Sequence, residues 1–286
     1  MSTKISLNDF TIRQAPFHER FAIAQEAGFK GVEFQIEEAR NYAKKHKGMR
    51  SVLEFLQVYN LRFDQSLMLW DCFSTKHLKD RARFMHNAEL VFRDTKYLGG
   101  EVVLACTTFE PVDINTASDI FAEMCDMAGE FGLKLALEFI GWAETIKNIK
   151  TAWYIVDKAG RKNGGILVDT IHLYFGGSSL IDLEELPSEL LFTVHLSDAC
   201  NSKSPVIEIA RHHRLFPSKG EIPIIEILSI IRDKGYSSSF ALEIFNDEYL
   251  KRPVVGVAIE GYKNMVNVLS KAGYDTESYK SSGNES

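Results

Sequence analysis

Leu133-Lys-Leu-Ala-Leu-Glu138-Phe139, Ile166-Leu-Val-Asp169, Leu191-Phe-Thr-Val-His195 and Phe240-Ala-Leu-Glu243-Ile244 are successive apolar runs, each with a carboxylate or an imidazole at or near its end. Their length and their β-branched or aromatic content are those of buried strands. A buried strand has no structural need for a charge there, and desolvating it costs free energy unless it is paired or bound to a cation. Four such costs on four runs have one shared solution. The runs are parallel strands of a barrel, and Glu138, Asp169, His195 and Glu243 converge on one divalent cation at its C-terminal mouth.

Outward from these runs the alternation continues. Strands are expected at 5–12, 31–35, 62–69 and 101–106, and then at the four runs themselves. Helices are expected at 19–28, 49–59, 76–98, 115–131, 151–159, 223–234 and 254–269, with a short one near 182–186 and a long loop after His195. Eight strand–helix units joined by right-handed crossovers predict an α/β fold, a (β/α)8 TIM barrel. It should form a single domain over 1–274, followed by a polar tail at 275–286. A doubly wound open sheet would more often carry G-x-G-x-x-G after its first strand, and none follows here.

The chain of 286 residues is 45% hydrophobic and 25% charged, as in soluble globular proteins. Net charge is −6 with no basic tract, which argues against a nucleic-acid partner, and Lys44-Lys45-His46-Lys47 reads as a solvated helix face. No stretch is apolar enough to span a bilayer and the N-terminus lacks a signal-peptide core, so a cytoplasmic protein without a membrane partner is expected. Cys72, Cys106, Cys125 and Cys200 form no C-x-x-C pair and read as reduced thiols in the core, although Cys106 and Cys200 fall near strand ends where a pocket would open. Homo-oligomerisation stays open.

Several motifs resemble the xylose isomerase-like barrel superfamily, which includes sugar epimerases, inosose-processing enzymes and 3-dehydroshikimate dehydratases. They are Ala136-Leu137-Glu138, Val168-Asp169-Thr-Ile-His172, His195-Leu-Ser-Asp198, Arg214-Leu-Phe-Pro217-Ser-Lys-Gly220-Glu221 and Leu242-Glu243-Ile-Phe-Asn-Asp247. The resemblance implies one divalent metal on Glu138, Asp169, His195 and Glu243. It also implies a substrate contact at His172, and Glu138 and Glu243 as a catalytic acid/base pair. The donor set favours Mn²⁺ or Mg²⁺, with Co²⁺ or Zn²⁺ compatible. A dication beside carboxylates suits a small ketose, inosose or keto-sugar, because it lowers the barrier to removing the proton alpha to the carbonyl. Returning the proton to the other face gives epimerisation, returning it to the next carbon gives isomerisation, and expelling a β-hydroxyl gives dehydration. A metal-dependent isomerase or epimerase is therefore the expected activity, with a lyase of the same fold as the alternative. A nuclease resembling endonuclease IV is a remote third reading, because extra histidines are missing from 67–70 and 106–107. A barrel that only binds a partner is disfavoured by the intact quartet.

Further substrate-binding candidates are Arg214, Glu33 at the end of strand two, and Trp70 and Trp142 as walls for a sugar face. Asp198 could orient a ligand or Arg214, whereas His212 and His213 should be exposed. Two departures from the family pattern stand out. The dehydratases carry an arginine after strand three that Ser66–Phe73 lacks, and Pro217-Ser-Lys-Gly220 replaces the common Pro-Gly-Glu-Gly.

Overall fold

A computed structural model describes residues 3–276. Eight strands pair in parallel in chain order, and the last closes onto the first: β1 (Lys4–Asn8), β2 (Gly31–Gln35), β3 (Arg62–Leu69), β4 (Val102–Cys106), β5 (Lys134–Glu138), β6 (Gly164–Asp169), β7 (Leu191–Leu196) and β8 (Ser239–Leu242). Around them run α1 (Arg20–Ala27), α2 (Ile36–Lys44), α3 (Arg50–Val58), α4 (Thr75–Lys79), α5 (Arg81–Tyr97), α6 (Ile114–Glu130) and α7 (Ile149–Ala159). The circuit finishes with α8 (Thr170–Phe175), α9 (Leu180–Glu185), α10 (Val206–His212), α11 (Ile224–Asp233) and α12 (Val254–Lys271). No helix among the described residues is long and apolar enough to cross a membrane.

Alternation along each strand divides the interior in two. Outward residues such as Leu7, Phe34, Val103, Leu135, Val168, Val194 and Leu242 join the helices in the main core. Inward residues meet in the lumen, and one side of it is apolar: Leu67, Val102, Leu104, Ala136, Leu167 and Phe192 form a separate cluster. The other side is polar, with Ser6, Asn8, Glu33, Gln65, His195 and Ser239 all buried. Several of these groups bond to one another around and across the barrel. The Ser6 and Ser239 hydroxyls lie 2.7 Å apart, Ser239 donates to Asp64 Oδ2 at 3.1 Å, and Gln65 on β3 reaches His195 on β7 at 3.2 Å. The apolar half is tightly filled: a Cβ on Gly165 would lie 2.5 Å from ring carbons of Phe192, so only glycine leaves that ring its place.

Several expected boundaries shift. The first strand stops at Asn8, because the Asn8 side chain accepts the Phe10 amide at 3.2 Å and turns the chain into a short 3-10 helix over Asp9–Ile12. The helix expected at 76–98 breaks at Asp80, whose φ of −125° and ψ of 54° are not helical. Three short helices went unanticipated: α2, α8 and α10. Helices of six to nine residues are marginal by themselves and form here against the barrel. The lysine-rich run lies at the C-terminal end of α2, and the tail expected at 275–286 falls outside the described residues from 277 onward.

Gly165→Val should overpack the lumen against Phe192 and lower stability by about 1–3 kcal/mol. Urea unfolding measures this, and an unchanged midpoint would show that the lumen has slack.

Candidate active site

The polar half of the lumen rises to a cluster of ligating groups. Glu138 is the last residue of β5, Asp169 the last of β6, His195 the next to last of β7, and Glu243 follows β8 directly. One donor atom from each lies within 4.8 Å of all the others. Asp169 also caps α8, with Oδ1 accepting the Ile171 amide at 2.9 Å, which leaves Oδ2 facing the cluster.

The site carries more buried negative charge than the protein neutralises. Glu33, Glu138, Asp169 and Glu243 are each at most 4% exposed, and the cations among them are Arg214 and the imidazole of His195. Arg214 Nη1 donates to Asp169 Oδ2 at 2.8 Å and to Glu243 Oε2 at 2.9 Å. Burial and the charge of Glu243 lift the Glu138 carboxyl above the usual range. Burial pushes Glu243 the same way, but His195 and Arg214 outweigh it and hold Glu243 low. The two glutamates are thus driven in opposite directions. Burial depresses His195, yet Glu33 and Glu243 together raise it well above an ordinary histidine.

A divalent cation fits this arrangement. With all four carboxylates ionised and His195 neutral, as a ligand must be, three negative charges exceed Arg214, and a dication offsets two of them. His195 is prepared for it: Nε2 lies 2.9 Å from Glu33 Oε2, while Nδ1 is buried without a hydrogen-bond partner beside Glu243. A carboxylate on the far nitrogen fixes the tautomer that turns a lone pair towards a metal.

A cavity of about 350 Å³ opens above the cluster, with Glu138, Glu243, His172, Trp142, Trp70 and Phe245 among its walls. Burial holds the His172 pKa down to about 4, so its ring is neutral at pH 7. Nδ1 accepts the Gly141 amide at 3.4 Å, which leaves the proton on Nε2, 3.9 Å from Glu138 Oε1 and 3.8 Å from Asp169 Oδ2. Trp142 packs edge-on against this ring at 5.0 Å, and its own Nε1–H is buried with no acceptor. A larger recess of about 680 Å³, between α2, the end of β3, α4 and α5, meets the cavity at Gln35, Met68 and Trp70 but does not reach the ligating groups.

Residues 21–272 match the family described as Xylose isomerase-like TIM barrel. The chain belongs to that family. It is 25% identical over 256 residues to a 3-dehydroshikimate dehydratase of Pseudomonas aeruginosa, covering 88% of this chain and 40% of that protein. It is 32% identical over 154 residues to an inosose isomerase of Halalkalibacterium halodurans, covering 54% of each. The matches therefore span about half or less of these relatives' lengths. Among solved structures, the IolI protein with a zinc atom superposes with a TM-score of 0.87 at 22% identity, over 94% of this chain and 99% of that one.

Within this family barrel, Glu33 and Arg214, expected at the substrate, and Asp198, expected to orient a ligand or Arg214, are held by other contacts. Glu33 is central in β2, fully buried, and faces His195 below the cavity, because one-residue alternation from Val32 and Phe34 turns it into the lumen. Asp198 touches neither a ligating side chain nor the Arg214 guanidinium. Its carboxylate accepts the amides of Ala199 at 2.8 Å, Gly220 at 2.8 Å and Ile222 at 3.0 Å, and so pins the loop after β7. Arg214 does line the cavity, but it is 3% exposed and committed to Asp169 and Glu243. Trp70, 45% exposed, and Trp142 both stand in the cavity wall. Cys106 also borders the cavity, where burial and Glu138 keep its thiol protonated, whereas Cys200 is exposed elsewhere. His213 is exposed and paired with Glu208, whereas His212, expected to be exposed, is half-buried in the cavity wall and paired with Asp247.

Asn8 and Gln65 were missed. Asn8 donates to Glu243 Oε1 at 3.0 Å and Gln65 meets His195 across the lumen. Their signal was an amide inside an apolar strand, which needs a buried partner.

Cation binding must displace protons held at His195 and Glu138, both raised in the metal-free protein. Affinity for Mn²⁺ should therefore rise with pH, with protons released on binding. Calorimetry in buffers of different ionisation enthalpy reads the release, and none would count against these ligands. Glu33→Gln should weaken the affinity by about 10–100-fold while the fold is kept; native affinity would make Glu33 a bystander.

Proposed function

We propose that this protein is a divalent-metal-dependent isomerase or epimerase of a small ketose, inosose or related keto-sugar. The observation that carries this reading is the convergence of Glu138, Asp169, His195 and Glu243 within 4.8 Å beside a cavity sized for a small polyol, which Glu138 and Glu243 line. These four residues would hold the cation, which would polarise the substrate carbonyl and acidify the neighbouring C–H. The preference for Mn²⁺ or Mg²⁺ over Co²⁺ or Zn²⁺ rests on the three carboxylates among the donors.

The chain's own residues supply the proton traffic. Glu243, held ionised by His195 and Arg214, is suited to take the proton alpha to the carbonyl. Glu138, whose carboxylate also lines the cavity, is suited to take up a proton from water and return it to the substrate. Two carboxylates on separate strands, both lining the cavity, form an acid/base pair able to address different positions of one substrate. His172, neutral with its proton on Nε2, donates towards the oxygen on which negative charge grows. The free Nε1–H of Trp142 offers a second donor, and the exposed ring of Trp70 offers a wall for a sugar face.

A lyase is the second reading. What supports it is the match to the Pseudomonas dehydratase over 88% of the chain. The same α-proton removal starts dehydration when a hydroxyl stands β to the carbonyl. The two readings part at the product, not at the first step.

With Mn²⁺ in D₂O, a panel of a ketohexose, a keto-inositol and 3-dehydroshikimate should show deuterium entering alpha to the carbonyl of at least one member by NMR. A rearranged polyol identifies the isomerase and a conjugated enone the lyase; no exchange with any member sinks both. Glu243→Gln should lower turnover by about 10²-fold or more. His172→Ala should do so with Mn²⁺ affinity near native. Loss of metal together with activity in the His172 variant would make it a structural support instead.

A further inference from the structure

Arg211 is a guanidinium without an acid. It stands in the last turn of α10 and in the wall of the cavity, and no carboxylate among the described residues lies within 4.0 Å of it. Its contacts are two ring faces of that same cavity: Phe109, 5.6 Å from the guanidinium carbon, and Trp142, at 6.0 Å. Stacking on aromatic faces orients a guanidinium while leaving its N–H edge unused. Arg13 in the cavity wall repeats the pattern, its guanidinium 5.3 Å over Phe245, with one carboxylate contact at 3.7 Å to a half-exposed Asp247.

Both arginines are held by the loops that build the site. Arg214 Nε donates to the Ala210 carbonyl at 2.7 Å, which ties the end of α10 to the residue bridging Asp169 and Glu243. Arg20 donates to the Ala15 carbonyl at 2.9 Å and to the Arg13 carbonyl at 3.1 Å, fixing the loop that carries Arg13. The cavity thus has ligating carboxylates at its floor and two underused, stacked cations on its walls. A neutral polyol needs only the floor. The walls suit a substrate that also carries an anion.

We infer that the cavity takes a polyhydroxy substrate bearing a carboxylate or phosphate group, and that Arg211, assisted by Arg13, is the residue that selects for that anion. This rests on the cavity being the substrate site, as proposed above, and it narrows the substrate class. A carboxylate and a phosphate share the required chemistry, two or more acceptor oxygens facing a guanidinium edge.

Isothermal titration of the protein in excess Mn²⁺ with three probes tests this: myo-inositol, quinate and myo-inositol 1-phosphate. One charged probe should bind at least about 10-fold more tightly than myo-inositol, and the tighter of the two identifies carboxylate or phosphate. The preference should shrink as salt rises. Arg211→Gln, at an exposed position that leaves the core intact, should remove most of that preference and leave Mn²⁺ and myo-inositol affinities unchanged. Arg13→Gln should give a smaller loss in the same direction. Charged probes binding no better than myo-inositol, or failing to bind, would overturn the inference, as would a preference undiminished in Arg211→Gln. If α-proton exchange fails for every keto-sugar while the Arg211-dependent preference persists, the activity reading falls and the anion site stands; exchange without the preference gives the reverse.

Discussion

Four buried carboxylates at the top of one barrel set the terms for everything around them. Glu33, Glu138, Asp169 and Glu243 are sealed from water, and leaving any of them ionised without a counter-charge would cost several kcal/mol. Each neighbour answers part of that cost. Arg214 bridges two of them, His195 lies between two, Asn8 donates to one, and the start of α8 donates to another. Protonation of Glu138 is the remedy open to the protein by itself, and a divalent cation is the remedy the donor geometry suits. The polar half of the lumen exists for this purpose, while the apolar half, from Leu67 to Phe192, supplies ordinary packing.

The loops above the strands are tied to that cluster. Arg214 holds the end of α10 through Ala210, and its own carbonyl accepts the Asn246 amide at 2.8 Å. Asp198 gathers three amides around Gly220, where a Cβ would fall 2.4 Å from the Ala199 carbonyl oxygen, so the loop must carry glycine there. The Ser-Lys replacement in Pro217-Ser-Lys-Gly220 sits within this clamp, with Ser218 at a φ of 71°. Floor and rim therefore form one connected structure, in which a shift of the Arg214 guanidinium would be felt at both.

A floor of this kind starts several reactions and does not choose among them. Abstraction of an α-proton is common to isomerisation, epimerisation and dehydration. The outcome depends on where the returning proton and the leaving hydroxyl stand, which is set by residues that hold the rest of the substrate. In this chain the residues lining the cavity above the floor include His172, Trp142, Trp70 and the two arginines over its aromatic rings, which under the proposed reading would play that part. Relatives with different reactions on one barrel fit that division of labour, with the floor serving shared chemistry and the walls serving selection.

The sequence alone determined the barrel and its quartet, because both are written in local patterns. Short apolar runs of buried-strand length alternating with amphipathic segments, four of them with a charge or imidazole at the end, place Glu138, Asp169, His195 and Glu243 at one mouth. It did not determine what depends on facing and register. Glu33 looked like a strand-end substrate contact, yet one step of alternation puts it in the lumen behind His195. Asn8 and Gln65 were silent because their partners lie 235 and 130 residues away. The short helices α2, α8 and α10 carry too few residues to announce themselves, and α10 carries Arg211 and is tied through Ala210 to Arg214 at the site. Local pattern records which way a side chain alternates, but closure of the barrel decides which groups meet, and there desolvation and pairing, not propensity, set each residue's role.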